Sequence, residues 1–209
     1  MRRLTNCCKS GLWAKWCSRP VVSVRTRMNN DWFKLIGIPI ATVAVSGHVY
    51  AAEYLSVEQA QKLMFSNSAV FEKSDVNLNR AAKKAIKDAS GVMMDRSVLP
   101  AWKVFDGGNL SGYFIVDEVI GKHEYITYAV ALSPTGEVRQ VEILVYRESY
   151  GYEVRNPRWR AQFVGHKAGT ILDLGEEIKN ISGATMSCRH ITEGVNRVLA
   201  AYDLYLKYQ

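Results

Sequence analysis

Apolar positions change their spacing twice along the chain, and each change marks a new element. Between Gly112 and Arg147, β-branched and aromatic residues crowd into three runs: Tyr113–Val119, Tyr125–Leu132 and Val138–Tyr146. Turn signals divide them at Gly121-Lys122 and at Pro134-Thr-Gly136. Such runs predict three strands of an antiparallel meander. In the third run Val138, Glu142 and Leu144 do not alternate cleanly, so the pattern specifies a sheet but not its register. From Arg189 to about Lys207 the period lengthens. Ile191, Val195, Val198, Leu199, Tyr202 and Leu206 recur near the 3.6-residue spacing of a core-facing helix, with Glu193 and Arg197 as an i,i+4 pair on its wet face.

Local signals place two shorter helices before the sheet. Ser56-Val-Glu-Gln59 is a capping box, opening a helix through about Phe65. Asn79 caps a second helix over Arg80 to Ala89, which Gly91 ends in a left-handed conformation. The segment from Glu148 to Ser182 has little periodicity, and loops of such length inside compact domains tend to be functional. These elements predict an α+β domain over residues 53–209, an antiparallel sheet with helices packed on it.

Residues 1–52 read differently. Leu35 to Ser46 forms an apolar run preceded by Lys34 and followed by Val49-Tyr50-Ala51-Ala52. It matches a signal-peptide core and falls short of the roughly 20 residues a spanning helix needs. Cleavage is expected after Ala51 or Ala52; an uncleaved anchor is the alternative. The basic stretch ahead of it is long for an export signal, and Met28 makes a sensible start, leaving residues 1–27 as a misplaced start or an Arg-rich transit segment.

The formal charge of +7 suggests nucleic acid until its position is considered. Eight basic residues and the acid Asp31 lie within residues 1–52; taking them from totals of 27 and 20 leaves 19 of each sign in the remainder. A domain without basic excess has no general attraction for a polyanion, and nucleic acid is not an expected partner. Cys7, Cys8 and Cys17 also fall in the leader, leaving Cys188 alone after it, so no internal disulfide is open to the exported part. The three leader cysteines have no neighbouring histidine to complete a zinc site.

Candidate chemistry concentrates in Ser182-Gly183-Ala184-Thr185-Met186-Ser187, just before the last helix. A first helical turn leaves backbone N–H groups unpaired, and the helix dipole favours negative charge there. Small residues at 183 and 184 let the backbone come close to a ligand. By themselves these features describe an anion site or a plain helix cap.

The same six residues resemble the flavinylation motif of the FMN-binding domain family, known from subunits of Rnf-type complexes and of sodium-pumping NADH:quinone reductase. That pattern reads Ser-Gly-Ala-Thr, any residue, then Ser or Thr, and Ser187 stands in the last place. Upstream, Glu148-Ser-Tyr-Gly151 followed by Trp159, Gln162-Phe163 and Gly165 is similar to the family's second segment. Two positions depart from the pattern. Lys179 stands where members often carry an acid, Glu176 and Glu177 being the nearest, and Ser149-Tyr150 replaces the usual Thr-Pro.

The resemblance implies FMN, derived from FAD and joined to Ser187 by a phosphoester, with Ser182, Gly183, Ala184, Thr185 and Met186 around it. It implies a flavin transferase as maturation partner, a membrane reductase or other redox partner, an extracytoplasmic location and no metal of the chain's own. An electron carrier needs no catalytic acid or base, because the flavin supplies the redox chemistry. Cys188 and His190 are expected to be ordinary side chains, and Trp159, Tyr150 and Tyr152 to bury the long loop or pack on the flavin. The alternative is a non-redox extracytoplasmic module that binds a phosphate-bearing ligand or partner at the same helix terminus without covalent flavin.

Overall fold

The computed structural model describes residues 52–209. The leader, its signal or anchor segment, Met28 and Cys7, Cys8 and Cys17 lie outside the described residues.

Among the described residues, eight strands and four α-helices make an α+β arrangement. The strands are β1 (Ala52–Glu53), β2 (Val70–Lys73), β3 (Val76–Asn77), β4 (Val98–Leu99), β5 (Ala101–Asp106), β6 (Asn109–Ile120), β7 (Tyr125–Leu132) and β8 (Val138–Tyr146). The helices are α1 (Val57–Met64), α2 (Arg80–Ser90), α3 (Pro157–Arg160) and α4 (Thr185–Leu204). Six strands form one sheet in the order β1-β8-β7-β6-β5-β2, and β3 pairs with β4 separately. All the strand pairings are antiparallel. The predicted meander is therefore its centre, β6-β7-β8, and β5 and β6 extend it through a hairpin at Gly107-Gly108.

Local signals work as the sequence predicts. Ser56 accepts from the N–H of Gln59, whose side chain accepts from the N–H of Ser56. Asn79 accepts from Ala82, and Gly91 closes α2 at φ 75°. In the main sheet the alternation separates two apolar faces. Tyr113, Ile115 and Val119 join Ile126, Tyr128 and Val130 in the core covered by α4, whereas Phe114, Val116, Ala129 and Leu144 face the smaller core near α1.

β8 carries the irregularity seen in its pattern. Leu132 and Ala131 pair with Val138 and Gln140, skipping Arg139; Tyr128 and Thr127 pair with Ile143 and Val145, skipping Leu144. Each bulge inserts one residue and reverses the facing of the residues after it. Val141, Ile143 and Tyr146 consequently share the α4 side, while Val145 packs on the other.

Two expectations for the last helix are corrected. It begins at Thr185 and not Arg189, so the serine and threonine segment enters its first turn. Glu193 and Arg197 do not form a surface pair: Arg197 is buried, and its Nε donates to Asp117 at 2.8 Å. The helical period holds, but a fully buried carboxylate on β6 attracts the guanidinium more strongly than a partly exposed glutamate one turn away. α4 also comes unusually close to the sheet at Gly194, where an added Cβ would lie 2.3 Å from Tyr128 Oη. Among the described residues no helix is long and apolar enough to cross a membrane.

Candidate functional site

Ser187 sits in the first turn of α4, 4% exposed, with its hydroxyl 3.0 Å from Tyr146 Oη. Tyr146 comes from the end of β8, and its Oη donates to the carbonyl of Tyr150 at 2.6 Å. Gly151 follows with φ 84°, lying over both hydroxyls: a Cβ there would stand 2.7 Å from Tyr146 Oη and 3.3 Å from Ser187 Oγ. Burial raises the phenol of Tyr146 above its ordinary pKa; the Ser187 hydroxyl pulls it down, and the charges of Glu148 and Glu153 push it further up.

A cleft of about 550 Å³ opens beside this pair. One wall is Gly183 to Ser187; the other comes from the β6–β7 hairpin, Lys122 to Glu124, and from Arg147 to Tyr150 after β8. Its volume falls within the roughly 300–1,000 Å³ of small-molecule sites. α4 starts from Ala184 without a side-chain cap, so among the described residues no hydroxyl or carboxylate caps its first-turn N–H groups. Gly183 takes φ 85° in the turn before it. Thr185 is held from outside the helix, its Oγ1 accepting from Asn180 Nδ2 at 3.0 Å. The uncapped helix start, Lys122 and Arg147 suit an anionic group such as a flavin phosphate.

Glu148 organises the opposite wall. Its Oε1 accepts from the N–H groups of His123 and Glu124. Burial would raise its carboxyl pKa, but the backbone donors of residues 122–124 outweigh that, and the group titrates below its usual range. It therefore remains a carboxylate and ties the hairpin to the segment after β8.

The six residues singled out in the sequence do not behave alike. Gly183, Ala184, Thr185, Met186 and Ser187 line the cleft, whereas Ser182 is exposed and stands outside its wall. None of the hydroxyls acts as the N-cap that the plainer reading of the segment allows. Cys188 is fully buried, and burial first of all raises its thiol pKa, which suits an unreactive packing role. His190 Nδ1 lies 2.5 Å from the Ile120 carbonyl, away from the cleft wall.

The long loop is corrected in part. It contains α3 flanked by short 3-10 turns at Tyr152–Arg155 and Ala161–Phe163. Trp159 does bury it, packing edge-on to Phe163 and donating from Nε1 to the Lys179 carbonyl. Tyr150 and Tyr152 do not, at 82% and 61% exposed, because the turn at Gly151 directs them outward. Lys179 is anchored through its backbone, whose N–H donates to Gln162 Oε1. Its side chain is exposed, and Lys179 does not line the cleft.

Sequence reasoning missed Tyr146, Lys122, His123, Glu124 and Arg147. The hairpin residues carried only a turn signal, and Tyr146 looked like one more aromatic residue in a strand.

Comparison with known proteins bears directly on this cleft. Residues 121–200 match the FMN-binding domain family. The matched span contains both cleft walls and the whole of the Ser187 segment. Among solved structures, the chain is similar in fold to a subunit of the Na(+)-translocating NADH-quinone reductase from Parabacteroides distasonis ATCC 8503. The two are 16% identical, with a TM-score of 0.50, over 74% of this chain and 86% of that one. NqrC of Shewanella oneidensis also matches, at 18% identity and a TM-score of 0.43, over 75% of this chain and 86% of that one. No curated protein matches the chain.

Gly151 gives this site a direct mechanical test. Gly151→Ala is expected to lower stability by about 1–3 kcal/mol, since it forces a side chain into a left-handed conformation and against two bonded hydroxyls. Gly183→Ala, also at positive φ but with nothing within 4 Å, is expected to cost about 1 kcal/mol from backbone strain. Urea unfolding of both variants compares them. Equal losses would mean that Tyr146 and Ser187 yield freely.

Proposed function

We propose that this chain is an exported electron-transfer flavoprotein that carries FMN as a phosphoester on Ser187 and relays electrons in a membrane-associated redox chain. The observation that carries the reading is the position of Ser187, at the uncapped start of α4 in a cleft of the FMN-binding domain. The chain acts as a carrier and not as a self-sufficient enzyme. Bound flavin would supply one- and two-electron chemistry. The protein's own residues hold the phosphate at the helix terminus, balance its charge with Lys122 and Arg147, and keep the attachment oxygen in place.

Attachment requires a separate flavin transferase. The Ser187 Oγ–P bond forms as the pyrophosphate bond of FAD breaks, and AMP leaves. Covalent attachment suits a protein outside the cytoplasm, where a diffusing flavin would not be replaced; the apolar run and small-residue site near Ala51 support export.

The burial of Ser187 favours a second reading, a module that binds a phosphate-bearing ligand at the helix terminus without covalent flavin. Intact-mass spectrometry after co-expression with a periplasmic flavin transferase separates the two. An added FMN mass mapped to Ser187 is expected. An unmodified chain, with the transferase active on a control substrate, would leave the non-covalent module as the better account. N-terminal sequencing by mass spectrometry on cell-derived protein tests the leader, with a mature start at Ala52 or Glu53 expected.

A further inference from the structure

Tyr146 has one proton, and the Tyr150 carbonyl at 2.6 Å is an acceptor that has none to offer in return. In the 3.0 Å contact between Tyr146 and Ser187, the serine must therefore be the donor. Its proton points at Tyr146, and both lone pairs of Oγ point away from it. Tyr146 itself is 2% exposed and reaches this place because the bulge at Leu144 turns it to the α4 side. A buried tyrosine with both its proton and a lone pair committed is a rigid support.

We infer that Tyr146 is a positioning residue for flavin attachment, presenting Ser187 Oγ with its lone pairs free for phosphoryl transfer from FAD. This rests on the reading of Ser187 as the attachment point. In that step the Oγ–P bond forms, the pyrophosphate P–O bond of FAD breaks and AMP departs. The serine proton leaves to a base of the transferase or to water. It does not pass along Tyr146, since that line ends on a backbone carbonyl that cannot hold it. Tyr146 is accordingly neither the base nor a relay. Its burial, which raises the phenol pKa, keeps it in the protonated form that donates to Tyr150.

Steady-state flavinylation of the purified full-length chain by a flavin transferase with FAD, followed as FMN mass gain, tests this. Tyr146→Phe is expected to lower kcat about tenfold, the size of one hydrogen bond's orienting effect, with KM for FAD and for the carrier unchanged. Tyr202→Phe removes another tyrosine hydroxyl, bonded to the Pro134 carbonyl away from the cleft, and is expected to react like wild type. Gly151→Ala displaces the same Tyr146–Ser187 pair and is expected to lower kcat as well, which keeps the test open should Tyr146→Phe fail to fold. Wild-type kcat in Tyr146→Phe, or an equal loss in Tyr202→Phe, would overturn the role of Tyr146 while leaving Ser187 as the attachment point. Failure of the wild-type chain to gain FMN, with the transferase active on a control, would overturn the attachment point and this role together.

Discussion

Ser187→Ala is expected to remove covalent flavin completely while leaving the fold nearly intact. Without Oγ there is no atom on which the phosphoester can form, and the neighbouring hydroxyl is no substitute. Thr185 lies two residues back on α4, about 200° around the helix axis, and its Oγ1 is held by Asn180. Deleting the serine hydroxyl removes one hydrogen bond to Tyr146, worth about 1 kcal/mol, with Tyr146 still bonded to Tyr150. Thr185→Ser keeps a hydroxyl for Asn180 and is expected to retain flavin. Denaturing-gel fluorescence and intact mass read both variants. Flavin persisting on Ser187→Ala would move the attachment elsewhere.

A second large effect is expected far from the cleft, at the join between α4 and the sheet. Asp117 is fully buried on β6; its Oδ2 accepts from Tyr128 Oη at 2.9 Å and from Arg197 Nε at 2.8 Å. Arg197 also donates to the carbonyls of Met93 and Glu118. Asp117→Ala leaves a guanidinium buried without its counter-charge and a phenol without its acceptor. The expected loss is about 3–5 kcal/mol, a large part of the stability of a domain of ordinary size. Burial, the largest cause of the raised pKa of the Tyr128 phenol, persists without Asp117, so the phenol brings no compensating charge. Arg197→Met leaves the carboxylate with the Tyr128 hydroxyl and the more distant Arg96, whose Nη1 lies 3.5 Å from Oδ1, and is expected to cost less than Asp117→Ala. The double variant should lose clearly less than the sum, because removing both charges leaves neither uncompensated. Urea midpoints at constant m-value measure this cycle. Additive losses would mean that the two charges do not act as a pair.

The two predictions concern the first turn and the middle of one helix, and the helix links them. α4 has its first turn at the cleft and its middle pinned to β6 by Arg197, with Gly194 allowing the close approach that the Asp117–Tyr128–Arg197 cluster requires. Anchoring of this kind gives the Ser187 end a fixed position relative to Tyr146 on β8.

Much of this architecture is legible in the chain because local rules decide it. The capping residues Ser56 and Asn79, the cap glycine Gly91, the turn at Pro134 to Gly136 and the 3.6-residue spacing of α4 each act through neighbours in sequence. The Ser182–Ser187 segment could likewise be singled out, since small residues and hydroxyls before a helix have a local physical meaning. Three decisive features are not local. Arg197 looks like the partner of Glu193 until the fold brings Asp117 to it from 80 residues away. Tyr146 would face the other side of the sheet if alternation simply continued from Val141 and Ile143; the bulge at Leu144, defined only by pairing with β7, aims it at Ser187. The hairpin at Lys122 to Glu124 becomes a cleft wall only when Glu148 binds its backbone. The sequence by itself therefore determined the central meander, α1, α2 and the period of α4, because periodicity and capping are short-range, and marked Ser182–Ser187 as an anion site or helix cap, with Ser187 singled out by the family resemblance. Tertiary structure alone decided which residues surround the Ser187 oxygen, because strand register and the pairing of buried charges depend on contacts between segments far apart in the chain.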